Sequence, residues 1–407
     1  MKPTWFKSRK YRHFDAPVSA SYADNVCDPQ FVAKHSWLPL IHYVKGTRRY
    51  KKLEKKTVLK NRSIMFASHR DSCILSKYTF DLSRKLDQLY KQSGLENSVI
   101  AYRKLGRANY HFSADAYRFA KSRNRCVILC FDITGFFDNL DHGILKSRLK
   151  QLLGVKELPN DWYAVFRHVT KFSKVERLAL EANEQFAKRM KERSRKPIAT
   201  INELLKAGIA ITENPDKFGI PQGTPISAAL SNSYMLDVDK VMVEACAKIG
   251  GLYQRYSDDI LVICSPEQEE EITKALKAAV SAYKLEIKDE KTERALFEPG
   301  SEDNFQYLGF SVDQNGATIR ASSVARAYRN AKRSIRRTKR IGENAIAEGR
   351  ATKIYTKRLR ERFQPVNTQN LSKYARRAAG EFGSKKIVRQ VVKLERMVDQ
   401  AIRDMLK

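Results

Sequence analysis

Apolar and polar positions along this chain fall into strand-like and helix-like runs that together predict a mixed α and β fold. Residues 1–50 hold scattered aromatics and prolines with little periodicity, and read as an irregular or short-helical extension. From about Leu53, "VLKNRSIMFASHRD" alternates as a strand does; "SCILSKYTFDLSRKLDQLYKQSG" then repeats apolar residues at helical spacing up to Gly94. "ENSVIAYRKLGRANYHFSADAYRFAKSRN" continues as strand, basic loop and helix. "RCVILCFDI" is a short apolar strand of the kind found inside a sheet. Residues 151–218 are mostly helical and polar, without an internal repeat. "FGIPQGTPISAALSNSYMLDVDKVMVEACAKIGG" opens as a Gly/Pro loop and becomes one long amphipathic helix ending at Gly250 and Gly251. Strand, turn and strand follow around "YSDD", then a helix through "PEQEEEITKALKAAVSAYKL" and a short strand unit carrying "QYLGFSVD".

Length and charge narrow the class. A chain of 407 residues exceeds one small core and suggests two or three packed subdomains. Hydrophobic content of 42% excludes disorder along the whole chain. The 77 Lys and Arg outnumber 45 Asp and Glu, a net +32 that attracts polyanions, nucleic acid first among them. An anionic membrane surface is the rival partner. No long apolar run and no signal-like segment occurs near the basic "MKPTWFKSRKYRHFD", so a soluble cytoplasmic protein with no membrane partner is expected. After about Ala321 there are 24 Lys and Arg against seven Asp and Glu, a net +17. "RNAKRSIRRTKR" and "KIYTKRLRERF" are helical in period with cations along one side; a merely solvated face normally mixes signs. This predicts a separate basic helical domain that touches nucleic acid. The six cysteines are scattered without zinc-finger spacing and read as small buried hydrophobes.

Three carboxylates carry the candidate chemistry. Asp132 ends an apolar strand in "VILCFDITGFFDNLDH", and Asp258 and Asp259 sit side by side at the tip of an apolar hairpin. Adjacent ionised carboxylates repel, and apolar surroundings worsen the cost. A divalent cation reverses that logic, and hard oxygen donors suit Mg²⁺. If the strand ending at Asp132 lies beside the hairpin, three carboxylates meet at one edge, where two Mg²⁺ ions would serve an in-line phosphoryl displacement. An Asp-Asp pair in a turn is ordinary when taken alone, because Asp is a common turn residue.

"FDITGFFDNLDH", "GIPQGTPISAALSN", "YSDDI", the lysine of "KDEKT" and "YLGF" stand in the order of the sequence blocks of reverse transcriptases. From about residue 56 to 312 the chain resembles that family, nearest to the bacterial retron, group II intron and antiviral-defence groups. "RSIMFASHRDSCILSKYTFDL" and "SVIAYRK" are most similar to the defence-associated enzymes of the type 2 class. The resemblance implies an α+β right-hand polymerase. Fingers and palm would span 51–320, with a helical insertion at 151–218, and a basic α-helical thumb would span 321–407. It implies RNA-directed DNA synthesis from dNTPs on a structured noncoding RNA, an RNA–DNA or DNA duplex product, and a role in antiviral defence.

Site residues follow by resemblance. Asp132, Asp258 and Asp259 would hold metal with the carbonyl of Ile133, and Lys291 would protonate departing pyrophosphate. Lys56 and Arg62 would grip the triphosphate, while Gln222 and Gly223 would line the nucleotide pocket. Phe137 would be a steric gate against ribose, with core packing beside Phe136 as its alternative. Tyr307 and Gly309 would position the primer. Serine stands before the aspartate pair where alanine or methionine is usual, and no V-T-G follows "YLGF", which argues against a retron. No zinc-binding endonuclease pattern is present, and no length is spare for a ribonuclease H domain. An RNA-dependent RNA polymerase and a noncatalytic RNA-binding scaffold remain as alternatives.

Overall fold

The computed structural model describes residues 3–51, 56–366 and 370–406; for Lys291 and a few positions near the tip of the first hairpin it describes the backbone alone. Leu53, where the sequence places the first strand's start, lies outside these residues. Eleven strands form three sheets among the described residues. In the first, β1 (Leu40–Lys51) and β2 (Lys56–Phe66) make a long antiparallel ribbon, and β1 also pairs in parallel with β4 (Ser173–Glu176), which pairs with β5 (Thr212–Glu213). The second has the order β6-β7-β3-β8, from β3 (Cys126–Asp132), β6 (Leu252–Tyr256), β7 (Asp259–Cys264) and β8 (Glu293–Phe297), all antiparallel. The third is the small meander β9 (Phe305–Tyr307), β10 (Phe310–Asp313) and β11 (Gly316–Ile319). The fold is α+β, as expected.

The central sheet is sandwiched. Strand alternation sends Val127, Leu129, Phe131, Ile260 and Val262 into the larger core with the helices His69–Gln92, Ser227–Tyr234 and Leu236–Lys248. Ile128, Leu261 and Ile263 face the opposite way, into a second core with the helix Asn109–Ser122 and the meander. Burial on both faces explains why β3 and β7 read as continuous apolar runs.

Four expectations need correction. Residues 40–50 are not irregular; they are β1, hidden in the sequence because Gly46 and a run of Thr, Arg and Tyr interrupt its alternation. "SVIAYRK" is no strand: Val99 makes a single parallel bridge to Arg255, and the chain then turns through Tyr102 at φ +62°. The long helix after "PQG" is two helices meeting at Met235, whose ψ of 0° bends a segment of unbroken helical period. The basic C-terminal segment is helical (Ala321–Ala347, Lys357–Phe363, Leu371–Phe382, Lys385–Leu406), but it is not separate. Ala375, Phe382, Ile387 and Val391 share the second core with Phe297 and Phe310. By contrast, Ala321–Ala347 buries only Ala331.

The N-terminal residues pack as a strap that no periodicity could show. Asp15 accepts the backbone N–H groups of His69 and Arg70 at 2.9 and 2.8 Å, neutralising the start of a long helix. His168 stacks on Trp37 with centroids 4.1 Å apart, and burial pushes its pKa down to about 4. A histidine with a lowered pKa stays neutral in the fold, while the unfolded chain takes up a proton from about pH 6.5 downward. Its stabilisation is therefore complete above pH 6.5 and lost as pH falls toward 4. Thermal melts should show His168→Phe losing about 2 kcal/mol less stability than the parent between pH 7 and pH 5. Equal losses would contradict that assignment.

Candidate active site

β3 spends five apolar residues inside the sheet and ends on a carboxylate at its rim. Antiparallel pairing with β7 sets Asp132 directly opposite Asp259. Partners in such a register share a face of the sheet, with Cβ atoms about 5 Å apart. Asp258 stands in the two-residue turn between β6 and β7, and its carbonyl accepts the N–H of Ile133 at 3.2 Å. Ile133 is buried and bridged to Ile287, so the residue after Asp132 is fixed from both sides. The three sequence-predicted aspartates thus meet at one end of the central sheet.

Their electrostatics show the coupling. Asp259 is exposed, yet the surrounding protein mass, Asp258 and Asp132 together push its carboxyl up to about 6, against the weaker pull of Arg320 and Lys60. A site that resists losing its proton for these reasons favours a cation. The donors are hard carboxylate oxygens, which fit Mg²⁺. They are not already drawn together as a closed three-ligand cluster among the described residues.

Beneath the turn lies a buried ion pair that the sequence reading missed. Arg255 is fully buried and meets Asp239 in a bidentate pair, with both N···O distances 2.7 Å. Tyr253 donates to the same carboxylate at 2.8 Å, and Arg255 also reaches the carbonyl of Ser257 at 3.1 Å and Asn232 at 3.3 Å. The bend at Met235 falls between Asn232 and Asp239, so both of its arms bond the same guanidinium. The available signal was a lone arginine inside an apolar hairpin.

The loop "GIPQG" lies against the segment that follows Asp132. Ile220 donates to the carbonyl of Phe137 at 2.9 Å, and Gly219 donates to Leu140 at 2.9 Å. Phe136 is buried, whereas Phe137 is half-buried beside it with ring centroids 5.4 Å apart. Phe136 belongs to the larger core, and Phe137 packs against it. Gln222 is half-buried, and its carbonyl accepts the N–H of Met65 at 2.9 Å, which ties β2 to the loop. Gly223 has φ +121°, and a Cβ there would stand 2.6 Å from the Met65 carbonyl. Only glycine permits that approach.

Lys56, Lys60 and Arg62 alternate onto one face of β2. Lys56 lies near the hairpin's tip, opposite Lys51, whereas Lys60 is near enough to draw the Asp259 carboxyl back down. Lys60 was not singled out from the sequence, where a lysine-rich run hides it. Tyr307 is buried, with its hydroxyl 3.4 Å from Gln254, so "YLGF" shows the surface its turn, Leu308 at φ +46° and Gly309 at φ +93°, and not the tyrosine ring. Asn109 donates to the Leu308 carbonyl at 2.7 Å. Lys291 closes a single helical turn, Asp289–Lys291, leading into β8, which begins opposite Cys130 and so enters near the Asp132 end. Its side chain lies outside the described residues.

Residues 50–312 match the family described as reverse transcriptase (RNA-dependent DNA polymerase). The chain belongs to the reverse transcriptase family. All three aspartates of this reverse transcriptase fall inside the matched segment, and the basic helices after Ala321 fall outside it. No curated protein matches the chain. Among solved structures, this reverse transcriptase is similar to apo telomerase from Candida tropicalis truncated from its C-terminal domain (TM-score 0.45, 14% identity, 75% of this chain and 61% of that one). It is also similar to telomerase from Candida albicans in complex with a TWJ fragment of telomeric RNA (TM-score 0.43, 13% identity, 74% and 49%). The chain thus spans between about half and three fifths of those proteins' length. No helix among its described residues is long and apolar enough to cross a membrane.

Proposed function

We propose that this protein is an RNA-directed DNA polymerase that copies a structured noncoding RNA into DNA in antiviral defence. The observation that supports it most is the in-register pairing of Asp132 with Asp259, with Asp258 tied to Ile133 beside them. Asp132, Asp258, Asp259 and the Ile133 carbonyl are the donors we assign to two Mg²⁺ ions. Mg²⁺ there would neutralise charge at the primer hydroxyl and the departing pyrophosphate. The protein's own groups do the rest. Lys60 and Arg62 meet the triphosphate, Arg62 through a fork suited to phosphate oxygens, with Lys56 further along the same face. Gln222 and Gly223 line the nucleotide pocket, the turn at Gly309 supports the primer from the buried Tyr307, and Lys291 delivers a proton to pyrophosphate. Fingers and palm occupy 51–320, joined by β1 and including the 151–218 insertion, and the thumb occupies 321–407. Arg326, Arg329, Arg333, Arg336 and Arg340 lie on the exposed side of the first thumb helix and suit duplex phosphates.

The segments "RSIMFASHRDSCILSKYTFDL" and "SVIAYRK" support the defence assignment and the type 2 class. Sequencing the nucleic acids that copurify with the wild type but not with Asp258→Ala tests it. A DNA complementary to one structured RNA is the expected result; no such DNA, with full biological activity kept by Asp258→Ala, would favour an RNA-binding scaffold.

Phe137 assigns the sugar. A ring under the ribose leaves no room for a 2′-hydroxyl, so Phe137→Ala should raise the incorporation of ribonucleotides relative to dNTPs by about 10- to 100-fold, the worth of a lost steric clash of 1–3 kcal/mol. Unchanged selectivity in competition assays would remove the gate, and a parent that prefers ribonucleotides would identify an RNA polymerase.

A further inference from the structure

Tyr102 and Ser257 are two of only four non-glycine residues with positive φ among the described residues, at +62° and +64°, and they are hydrogen-bonded to each other. The Tyr102 hydroxyl donates to Ser257 Oγ at 3.1 Å. Left-handed backbone costs a residue with a Cβ, and it persists only where the surroundings over-determine it. In a two-residue hairpin whose first central residue has positive φ, glycine is the ordinary occupant of that position. Here a serine is kept, and both its polar groups are used. Its hydroxyl accepts from Tyr102, and its carbonyl accepts from the buried Arg255 at 3.1 Å.

The segment that carries Tyr102 grips the same hairpin by its backbone. Arg255 N–H donates to Ser98 at 2.7 Å, and Ile100 N–H donates to Arg255 at 3.1 Å. The chain then turns at Tyr102 and reaches the hairpin's tip. Half of the Tyr102 surface is exposed, so packing of its ring does not account for the strained backbone there. Asp258 and Asp259 are the next two residues after Ser257, and their positions depend on that turn.

We infer that Tyr102 is a positioning residue for the aspartate pair: its hydroxyl latches the strained Ser257 turn and fixes where Asp258 and Asp259 stand. The inference rests on the polymerase reading of those aspartates only for its effect on rate; the latch itself is read from the hairpin. Catalytic groups must be held within a fraction of an ångström, and a small misplacement is felt in turnover more than in binding.

The test uses the full chain as wild type, Tyr102→Phe, Ser257→Gly and the double variant. Primer extension on an RNA template with a DNA primer, Mg²⁺ and dNTPs is measured beside amide hydrogen exchange of residues 255–260 and thermal melting. Tyr102→Phe should lower kcat roughly tenfold, the equivalent of one ordinary hydrogen bond, with KM for dNTP within about twofold. Exchange in the hairpin should rise while the melting temperature holds. Ser257→Gly relieves the backbone cost but removes the acceptor, so it should melt no lower and still turn over slowly; a purely structural role predicts no such split. The double variant should be no slower than either single one, because both cut the same link. Unchanged hairpin exchange in Tyr102→Phe, a kcat within twofold of wild type, or multiplicative losses in the double variant would overturn the latch. A wild type that makes no DNA while hairpin exchange still responds would leave the latch standing and refute the polymerase reading alone.

Discussion

Asp259→Asn should lower DNA synthesis by about 10³-fold or more, and it should do so without loosening the fold. The substitution keeps the size of the side chain and removes its charge. In the protein without metal that charge is a burden, because protein mass, Asp258 and Asp132 hold the carboxyl up at about 6. The sign follows from linkage: the fold holds this proton more tightly than the unfolded chain, whose carboxyl ionises near 3.8. Stability is penalised as pH rises through that interval, and the penalty is complete above about pH 6. Asp259→Asn should therefore melt slightly above the parent at pH 7.5 in the absence of divalent cations and level with it below about pH 4. Solvent screening at this exposed carboxylate keeps the gain small. Added Mg²⁺ should raise the melting temperature of the parent and leave the variant unmoved. An Asn variant that synthesises DNA within tenfold of the parent would remove Asp259 from the chemistry.

The second large effect is structural and lies one layer below. Asp239→Ala leaves the Arg255 guanidinium fully buried with only Ser257 and Asn232 as acceptors, and should cost about 3–5 kcal/mol in denaturant unfolding. The pair as a whole is not the stabilising element, since two desolvated charges offset most of their mutual attraction. Replacing both partners, as Arg255→Met with Asp239→Leu, should recover most of that stability. It should not recover activity, because the Ser257 carbonyl then loses its donor and the turn carrying Asp258 is held by fewer bonds. A single Asp239→Ala variant destabilised by less than about 1 kcal/mol would show that water or another group already shares the charge.

What could be read in the sequence was set by local chemistry. β3 and β7 were legible because burial on both faces leaves an unbroken apolar run, and Asp132, Asp258 and Asp259 stood out as charges in that setting. Gly223 was legible as a backbone position, and the structure supplies the reason in the carbonyl of Met65. β1 was not legible, since a ribbon with exposed faces carries no alternation to read, and its existence depends on pairing with β2 five to twenty-five residues away. Lys60 was hidden among similar lysines, because which of them faces Asp259 is decided by register and not by composition. Arg255 and Asp239 are sixteen residues apart on different elements, and only their meeting in the core gives either a meaning. The C-terminal helices read as separate by charge; their buried residues, Phe382 and Ile387 among them, are ordinary helical positions whose partner is the central sheet.

One measurement bears most directly on the central claim. Purified full-length protein is given an RNA template with an annealed DNA primer, Mg²⁺ and dNTPs, beside the Asp258→Ala variant and a parallel reaction with ribonucleotides. The expected result is primer extended along the RNA with dNTPs, little extension with ribonucleotides, and none by Asp258→Ala. Folded wild-type protein that extends no primer with dNTPs, or an Asp258→Ala variant that extends it as well as the wild type, would contradict it.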